Sequence, residues 1–180
     1  MQASELFHQP NTILLDGGMG TMLQAAGMKL GTRPEDLNIE NPELIRSIHA
    51  KYAAAGSRVV NANTFGASPH KLADSKYTLE EVITAGIANC KQAVAPYGAL
   101  VTLDVGPLGE LLEPSGTLAF EDAVAEYGRI VRAGVAAGAD ILYFETFTDL
   151  YEMKAALLAA KENSTLPIMA SMSFEANGRT

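Results

Sequence analysis

Five short stretches of apolar and β-branched residues recur along the chain, separated by longer segments with helical periodicity. Such uniformly apolar runs are typical of strands that are buried on both faces of a parallel sheet. The sequence therefore predicts five parallel strands. They are TILLD ending at Asp16, RVVNANT ending at Thr64, ALVTLD ending at Asp104, DILYFET ending at Thr146 and PIMASMSF ending at Phe174.

The segments between these strands carry the start and stop signals of helices. The first has Pro42 near its start and Gly56 just past its end, which is the usual asymmetry of helix termini. The second begins at Thr78 with Glu81 three residues later, the spacing of a capping box. The alternation of strands and helices predicts a parallel sheet with right-handed crossovers. The four helical segments are 42–56, 78–98, 120–139 and 149–163.

Polar residues gather at the carboxyl ends of the predicted strands. A (β/α) barrel builds its active site from several strand ends, whereas an open doubly wound sheet concentrates its site at one switch point. The spread of these residues over all five strands favours an α/β fold of the (β/α)8 TIM-barrel type. They are Asp16, Asn61, Asn63, Thr64, Asp104, Glu145, Thr146, Ser173 and Glu175.

The number of predicted strands is too small for a closed barrel. A barrel of this type needs eight strands and about 250 residues, and the chain has 180 residues. Three explanations follow: the chain is part of a longer barrel, its sheet is open, or copies complete one another by association. We expect the first, with residues 1–180 as the N-terminal part of a barrel domain that is interrupted after its fifth strand.

Composition and charge narrow the range of partners. The chain has 13 basic and 21 acidic residues, a formal net charge of −8, and its basic residues are scattered. Nucleic acids and anionic membranes require a clustered basic surface, so we expect neither as a partner. The chain has no apolar run long enough to span a bilayer and no secretory signal. Its single cysteine, Cys90, excludes an internal disulfide and fits a reducing, cytoplasmic location.

A glycine-rich loop, GGMGTML, follows the first predicted strand. Leu23 stands where the dinucleotide fingerprint requires its third glycine, and no P-loop pattern occurs in the chain. Two interpretations remain open. Exposed N–H groups at the start of the next helix could bind a carboxylate, or the loop is a tight turn without a ligand.

Further candidates lie after the second, third and fourth strands. Asn63 and Thr64 offer hydrogen-bond donors and acceptors towards the carboxyl-end rim. Glu145 ends an otherwise apolar strand, and a carboxylate there must be paired, hydrogen-bonded or open to a cleft, because burying it alone is costly. Asp104 is either another rim carboxylate or an acceptor for loop amides.

The histidines and the cysteine do not predict a metal site. His8, His49 and His70 share no metal-ligand spacing with one another or with Cys90. Cys90 lies inside a predicted outer helix, which predicts a structural thiol. We therefore expect no metal ligands and no catalytic residues within this stretch of chain.

Five ordered motifs together resemble the homocysteine S-methyltransferase family, and most closely the N-terminal homocysteine-binding module of the cobalamin-dependent methionine synthases. Any one of them alone would be a weak signal, but in order they cover nearly the whole chain. They are LLDGGMGTMLQAAG, NIENPELIRSIHAKYAAAGSRVVNANTFGAS, VGPLGELLEP, ILYFETFTDLYEMKAAL and SMSFEANGRT.

The resemblance implies a (β/α)8 barrel that binds L-homocysteine at the carboxyl ends of its strands and methylates its thiol to give methionine. In this sequence Asp16 and Glu145 match the acidic residues that hold the amino group. The positions that match the carboxylate-binding groups are Gly17, Gly18, Asn63 and Thr64. The glycines would then let the backbone approach the amino-acid end of the substrate.

The resemblance also implies a zinc ion, held by three cysteine thiolates, that activates the homocysteine thiol. On the family pattern those cysteines lie beyond Thr180, and Cys90 matches none of them. We therefore expect the 180 residues alone to be inactive, with cobalamin and methyltetrahydrofolate possible through other modules. The alternatives are a non-catalytic chain that acts through self-association or a partner, and an unrelated TIM-barrel lyase. A Schiff-base lyase is disfavoured because no lysine ends a predicted strand.

Overall fold

The computed structural model describes residues 3–6, 8–29 and 31–180. Seven α-helices and four β-strands occur within these ranges, together with two short 3-10 helices at Pro34–Asp36 and Ala95–Tyr97. The helices are α1 (Ala3–Leu6), α2 (Met19–Ala25), α3 (Leu37–Glu40), α4 (Pro42–Ala54), α5 (Leu79–Val94), α6 (Phe120–Ala137) and α7 (Leu150–Asn163). The strands are β1 (Val59–Asn61), β2 (Leu100–Val105), β3 (Ile141–Phe147) and β4 (Ile168–Met172).

The four strands form one parallel sheet in the order β1-β2-β3-β4. Spatial order therefore follows chain order, and no reversal creates the switch point of a doubly wound sheet. A helix connects each strand to the next, as parallel pairing requires. The carboxyl ends of all four strands consequently lie on the same edge of the sheet.

The first predicted strand is the one element that the structure does not form. Within residues 8–29, Leu15 makes a single parallel bridge to Val59, and the N–H of Arg58 donates to the carbonyl of Leu14 at 2.8 Å. The segment thus runs beside β1 but is not a strand, so the prediction of five strands was wrong by one. Leu14 and Leu15 remain 55% and 37% exposed, so little apolar burial stabilises the extended backbone here.

The four predicted long helices are confirmed, but α5 ends at Val94, before the predicted end at residue 98. The capping box of α5 is present, with the N–H of Glu81 donating to Thr78 Oγ1 and the N–H of Thr78 donating to Glu81 Oε2. Helix α6 ends at Gly138, whose φ of 87° is the left-handed conformation that glycine adopts readily. Cys90 is fully buried in α5, as a structural thiol would be.

The core lies between the sheet and its helices. Tyr127 of α6 packs against Phe144 and Phe147 of β3, with ring centroids 6.2 and 6.0 Å away. The Tyr127 hydroxyl donates to Glu152 Oε1 of α7, which also accepts the N–H of Leu108. This buried carboxylate joins α6, α7 and the loop after β2. In the part of the chain that the structure describes, no helix is long and apolar enough to cross a membrane.

Candidate functional site

A cavity of about 500 Å³ opens at the carboxyl-end edge of the sheet. The loops after residue 15, β1, β2 and β3 surround it, as expected for a site assembled from successive strand ends. A larger, mostly apolar cavity of about 910 Å³ lies beside the start of α7, but none of the predicted site residues lines it. The smaller cavity is lined by Asp16, Gly17, Gly18, Met19, Gly20, Pro34, Glu35, Asn61, Ala62, Asn63, Phe65, Asp104, Glu145 and Thr146.

Asp16 lies at the inner end of the glycine loop. Its Oδ2 accepts the N–H of Asn61 at 3.1 Å, which connects it to the end of β1. Its Oδ1 is buried and has no hydrogen-bond partner. Burial and, to a smaller extent, the neighbouring Glu145 together raise the pKa of Asp16 to about 7, against the lowering effect of the Asn61 hydrogen bond.

The close approach of Tyr52 of α4 explains why the first residue of the loop, Gly17, is a glycine. A Cβ atom on Gly17 would lie 3.0 Å from the Tyr52 ring, and the Tyr52 hydroxyl donates to the carbonyl of Gly18 at 3.1 Å. A Cβ on Gly20, in contrast, would meet nothing within 4 Å. Packing within the protein thus accounts for Gly17, while the loop as a whole still faces the cavity.

Asn63 and Thr64 are neighbours in sequence but occupy different environments. Asn63 lines the cavity, and its amide donates to the carbonyl of Pro34 and to Asn38 Oδ1. The Thr64 hydroxyl is buried, donating to the carbonyl of Asp104 and accepting its N–H. The structure does not bring Thr64 to the cavity wall. Its hydroxyl instead fixes the backbone at the end of β2.

Glu145 lines the cavity from the end of β3. Its pKa is raised by burial and lowered by a hydrogen bond with Tyr143. The pairing of β3 with β4 shifts register between Phe144 and Phe147. A bulge of this kind re-aims the side chains around it, and Glu145 lies within it.

Asp104 is, with Glu35, one of the two buried acids of the cavity. It ends the polar face of β2, is 6% exposed, and its Oδ1 has no hydrogen-bond partner. Burial raises its pKa well above the usual range, and the nearby carboxyl groups of Glu145, Asp16 and Glu35 raise it further. Of the two interpretations drawn from the sequence, the structure favours a rim carboxyl group over an acceptor for loop amides.

Sequence reasoning missed Glu35, the fourth acid of the cavity. It lies in the short helix Pro34–Asp36, and its Oε1 accepts the N–H of Gly66 at 2.7 Å. A Cβ on Gly66 would lie 2.6 Å from that oxygen, so the glycine is required by this close approach. Gly66 indicates in the sequence that something approaches the backbone closely at this position. Nothing in the sequence identifies Glu35, 31 residues earlier, as the group that does so. Burial raises the pKa of Glu35.

The ionisable side chains that line the cavity are all acidic. Four carboxyl groups line it, and among its described lining residues there is no lysine, arginine or histidine. Burial raises the pKa of each of these carboxyl groups, and repulsion from the neighbouring acids raises the pKa of Asp16 and Asp104 as well, so the site favours neutral carboxyl groups. The cavity is therefore suited to a ligand that brings a positive charge, such as an ammonium group.

The residues do not fit a thiolate zinc site. The only cysteine of the chain, Cys90, is buried in α5 and does not line the cavity. Across residues 3–6, 8–29 and 31–180, no group of three or more histidine, cysteine, aspartate or glutamate side chains is arranged to hold a metal ion. We therefore assign no step of any reaction to a metal held by these residues.

Comparison with known proteins places this cavity in a family context. A profile described as homocysteine S-methyltransferase matches residues 13–180. The chain belongs to the homocysteine S-methyltransferase family. The matched region contains every lining residue of the cavity.

Individual relatives support the assignment of the chain to this family. It is 29% identical to the methionine synthase of Mycobacterium tuberculosis over 181 residues, a match that covers 91% of this chain and 15% of that protein. The crystal structure of the homocysteine methyltransferase MmuM from Escherichia coli in its metallated form matches with a TM-score of 0.76 and 26% identity. The oxidised form of MmuM matches with a TM-score of 0.77 and 27% identity.

Both MmuM matches cover 94% of this chain, which spans 65% of the metallated and 64% of the oxidised MmuM chain. The chain thus spans about two thirds of these solved relatives and a much smaller share of methionine synthase. The match confirms the predicted α/β fold of the TIM-barrel type for this family member, with four of its strands formed here.

Proposed function

We propose that this chain binds L-homocysteine in the acidic cavity and forms the acceptor part of a methyltransferase that converts homocysteine to methionine. The observation that carries the proposal is the meeting of Asp16 and Glu145 at one cavity of a homocysteine S-methyltransferase fold. Both acids end strands or strand-like segments on the same edge of the sheet.

The geometry supports a specific orientation of the amino acid. The ammonium group would lie between Asp16 and Glu145, where it could form charge-assisted hydrogen bonds, which are stronger than those between neutral groups. Its positive charge would favour the ionised form of Asp16, whose pKa is about 7 in the empty site. The carboxylate of the amino acid would face the backbone of Gly17 and Gly18 and the part of the cavity wall that Asn63 forms. Holding both groups fixes the direction in which the thiol-bearing arm extends.

The methyl-transfer step itself needs a thiolate nucleophile. Zinc supplies one in this family by binding the homocysteine sulfur, but the residues of this chain do not fit such a site. The part that we assign to this chain is therefore the binding and orientation of the acceptor. Methylcobalamin, recharged from methyltetrahydrofolate, is the methyl donor that similarity to methionine synthase suggests.

Calorimetric titration with L-homocysteine tests the role of the two acids. We expect Asp16→Asn and Glu145→Gln each to weaken binding by roughly 10- to 100-fold, because each removes a hydrogen bond between charged groups. Glu121→Gln, at an exposed position in the first turn of α6, is the matched control and should bind like the wild type. Unchanged affinity in both site variants would refute the assignment, as would the absence of binding by the wild type.

A further inference from the structure

Asp104 has a buried polar atom that the fold itself does not use. The contacts that fix this residue are made by its backbone, whose N–H and carbonyl both bond to the Thr64 hydroxyl. The side chain lines the cavity. Its Oδ1 has no hydrogen-bond partner, although the residue is only 6% exposed. A buried polar atom without a partner is costly, which indicates that a ligand supplies the missing hydrogen bond.

The surroundings of Asp104 determine its protonation state. Acidic groups face it from three directions: Asp16 from the glycine loop, Glu35 from the 3-10 helix and Glu145 from β3. The Tyr143 hydroxyl is also close enough to be affected by Asp104. No cationic side chain among the described residues lines the cavity to offset these charges. Burial and these neighbouring acids favour the protonated form of Asp104, and a protonated carboxyl has one O–H donor.

We propose that Asp104 acts as a neutral carboxylic acid that donates a hydrogen bond to the carboxylate of the bound amino acid. This role rests on the proposed binding of homocysteine. Asp16 and Glu145 are acceptors and can pair with the ammonium group, whereas the substrate carboxylate needs donors. Because no lysine, arginine or histidine lines the cavity, an acidic O–H is the strongest side-chain donor available for a carboxylate. The sulfur, the other acceptor of the ligand, must stay free to react.

Two substitutions separate this role from its alternatives. Asp104→Asn keeps a neutral donor of the same shape, whereas Asp104→Leu keeps a branched side chain but replaces both oxygens by methyl groups. We expect the Asn variant to bind L-homocysteine within about 3-fold of the wild type. The Leu variant should bind roughly 10- to 100-fold more weakly, the range for a lost hydrogen bond to a charged group. Asp16→Asn provides the comparison for an ionised ammonium-binding acid.

A ligand that lacks the carboxylate identifies the group that Asp104 contacts. With 3-aminopropane-1-thiol in place of homocysteine, the Leu variant and the wild type should bind equally, because the acceptor has been removed from the ligand. A loss of similar size for both ligands would overturn the assignment to the carboxylate. Circular dichroism of the Leu variant confirms that it is folded before affinities are compared.

Infrared difference spectroscopy tests the protonation state without any ligand. At neutral pH the wild-type minus Asp104→Asn spectrum should contain the C=O stretch of a protonated carboxyl group, and its absence would overturn the proposal. An Asn variant that binds as poorly as Asp16→Asn, or a Leu variant that binds homocysteine like the wild type, would also overturn it while leaving the proposed function intact. Failure of the wild type to bind homocysteine would overturn both.

Discussion

Thr146, the residue after Glu145, has a φ of 59°, a left-handed conformation that is rare for a β-branched residue. Its N–H donates to Ser171 Oγ of β4 at 3.1 Å, so the neighbouring strand holds it in place. Strained backbone of this kind persists only where the surroundings enforce it, and it occurs often at binding sites. The strain at Thr146 therefore supports a functional reason for the position of Glu145.

His49 of α4, like Asp16 and Asp104, has buried polar atoms without a hydrogen-bond partner. It is fully buried, neither ring nitrogen has a hydrogen-bond partner, and burial lowers its pKa to about 4 from an ordinary value of 6.5. Between these two values the unfolded chain binds a proton that the folded chain does not. The contribution of His49 to stability is therefore present above pH 6.5 and is lost as the pH falls towards 4.

We expect His49→Leu to remove this pH dependence. From pH 7 to pH 5 the wild type should lose about 2 kcal/mol relative to the variant, as the two pKa values imply. The comparison with the wild type is essential because Asp16, with its raised pKa of about 7, contributes with the opposite sign. Urea unfolding at both pH values measures the difference. His8→Leu, at an exposed position, is the control, and a parallel pH profile for His49→Leu and the wild type would show the idea to be wrong.

Helix α7 connects the sheet to the loop that follows β2. Glu152 is 5% exposed, and its Oε1 accepts both the N–H of Leu108 and the Tyr127 hydroxyl. Burial raises its pKa, while these two hydrogen bonds lower it. One side chain of α7 thus positions the start of the loop 107–118 and holds α6 against α7 through the Tyr127 hydroxyl.

Substitution of Glu152 should destabilise the packing of α6, α7 and the loop after β2 together. We expect Glu152→Ala to lower the free energy of unfolding by roughly 2–4 kcal/mol, because it leaves the Leu108 N–H and the Tyr127 hydroxyl buried without an acceptor. Tyr127→Phe removes only one of the two bonds and should cost less. Denaturant unfolding measures both, with the exposed Glu162→Ala of the same helix as control. A Glu152→Ala variant as stable as that control would contradict this account.

The elements differed in how well the sequence predicted them. Helices α4 to α7 and strands β1 to β4 were predicted because each has a period, a cap or an apolar run of its own. The segment before Asp16 has the apolar run of a strand, yet it forms one bridge, because pairing depends on neighbours that local sequence does not encode. For the same reason the sequence did not identify Glu35, whose partner Gly66 is distant along the chain. Nor did it predict that the Thr64 hydroxyl bonds to the backbone of Asp104.

At the scale of the whole molecule, the groups to which we assign the orientation of the substrate are separate from the one cysteine thiol of the chain. Asp16, Glu35, Asp104 and Glu145 surround one cavity, whereas the single cysteine lies buried in a helix that packs outside the sheet. On the proposed function, recognition of the amino-acid end of homocysteine therefore requires no metal ion. Activation of its sulfur by thiolate-bound zinc requires ligands that these 180 residues do not provide.

This separation predicts that a chelator will leave homocysteine binding unchanged. We expect the same dissociation constant for L-homocysteine before and after treatment of the purified 180-residue chain with EDTA, because carboxyl groups and loop backbone make all the proposed contacts. The same preparation, supplied with zinc and methylcobalamin, should form no methionine, since one buried thiol cannot replace three zinc-binding thiolates. A marked loss of affinity after chelation, or methionine formation that Asp16→Asn abolishes, would show that these residues bind a catalytic metal after all.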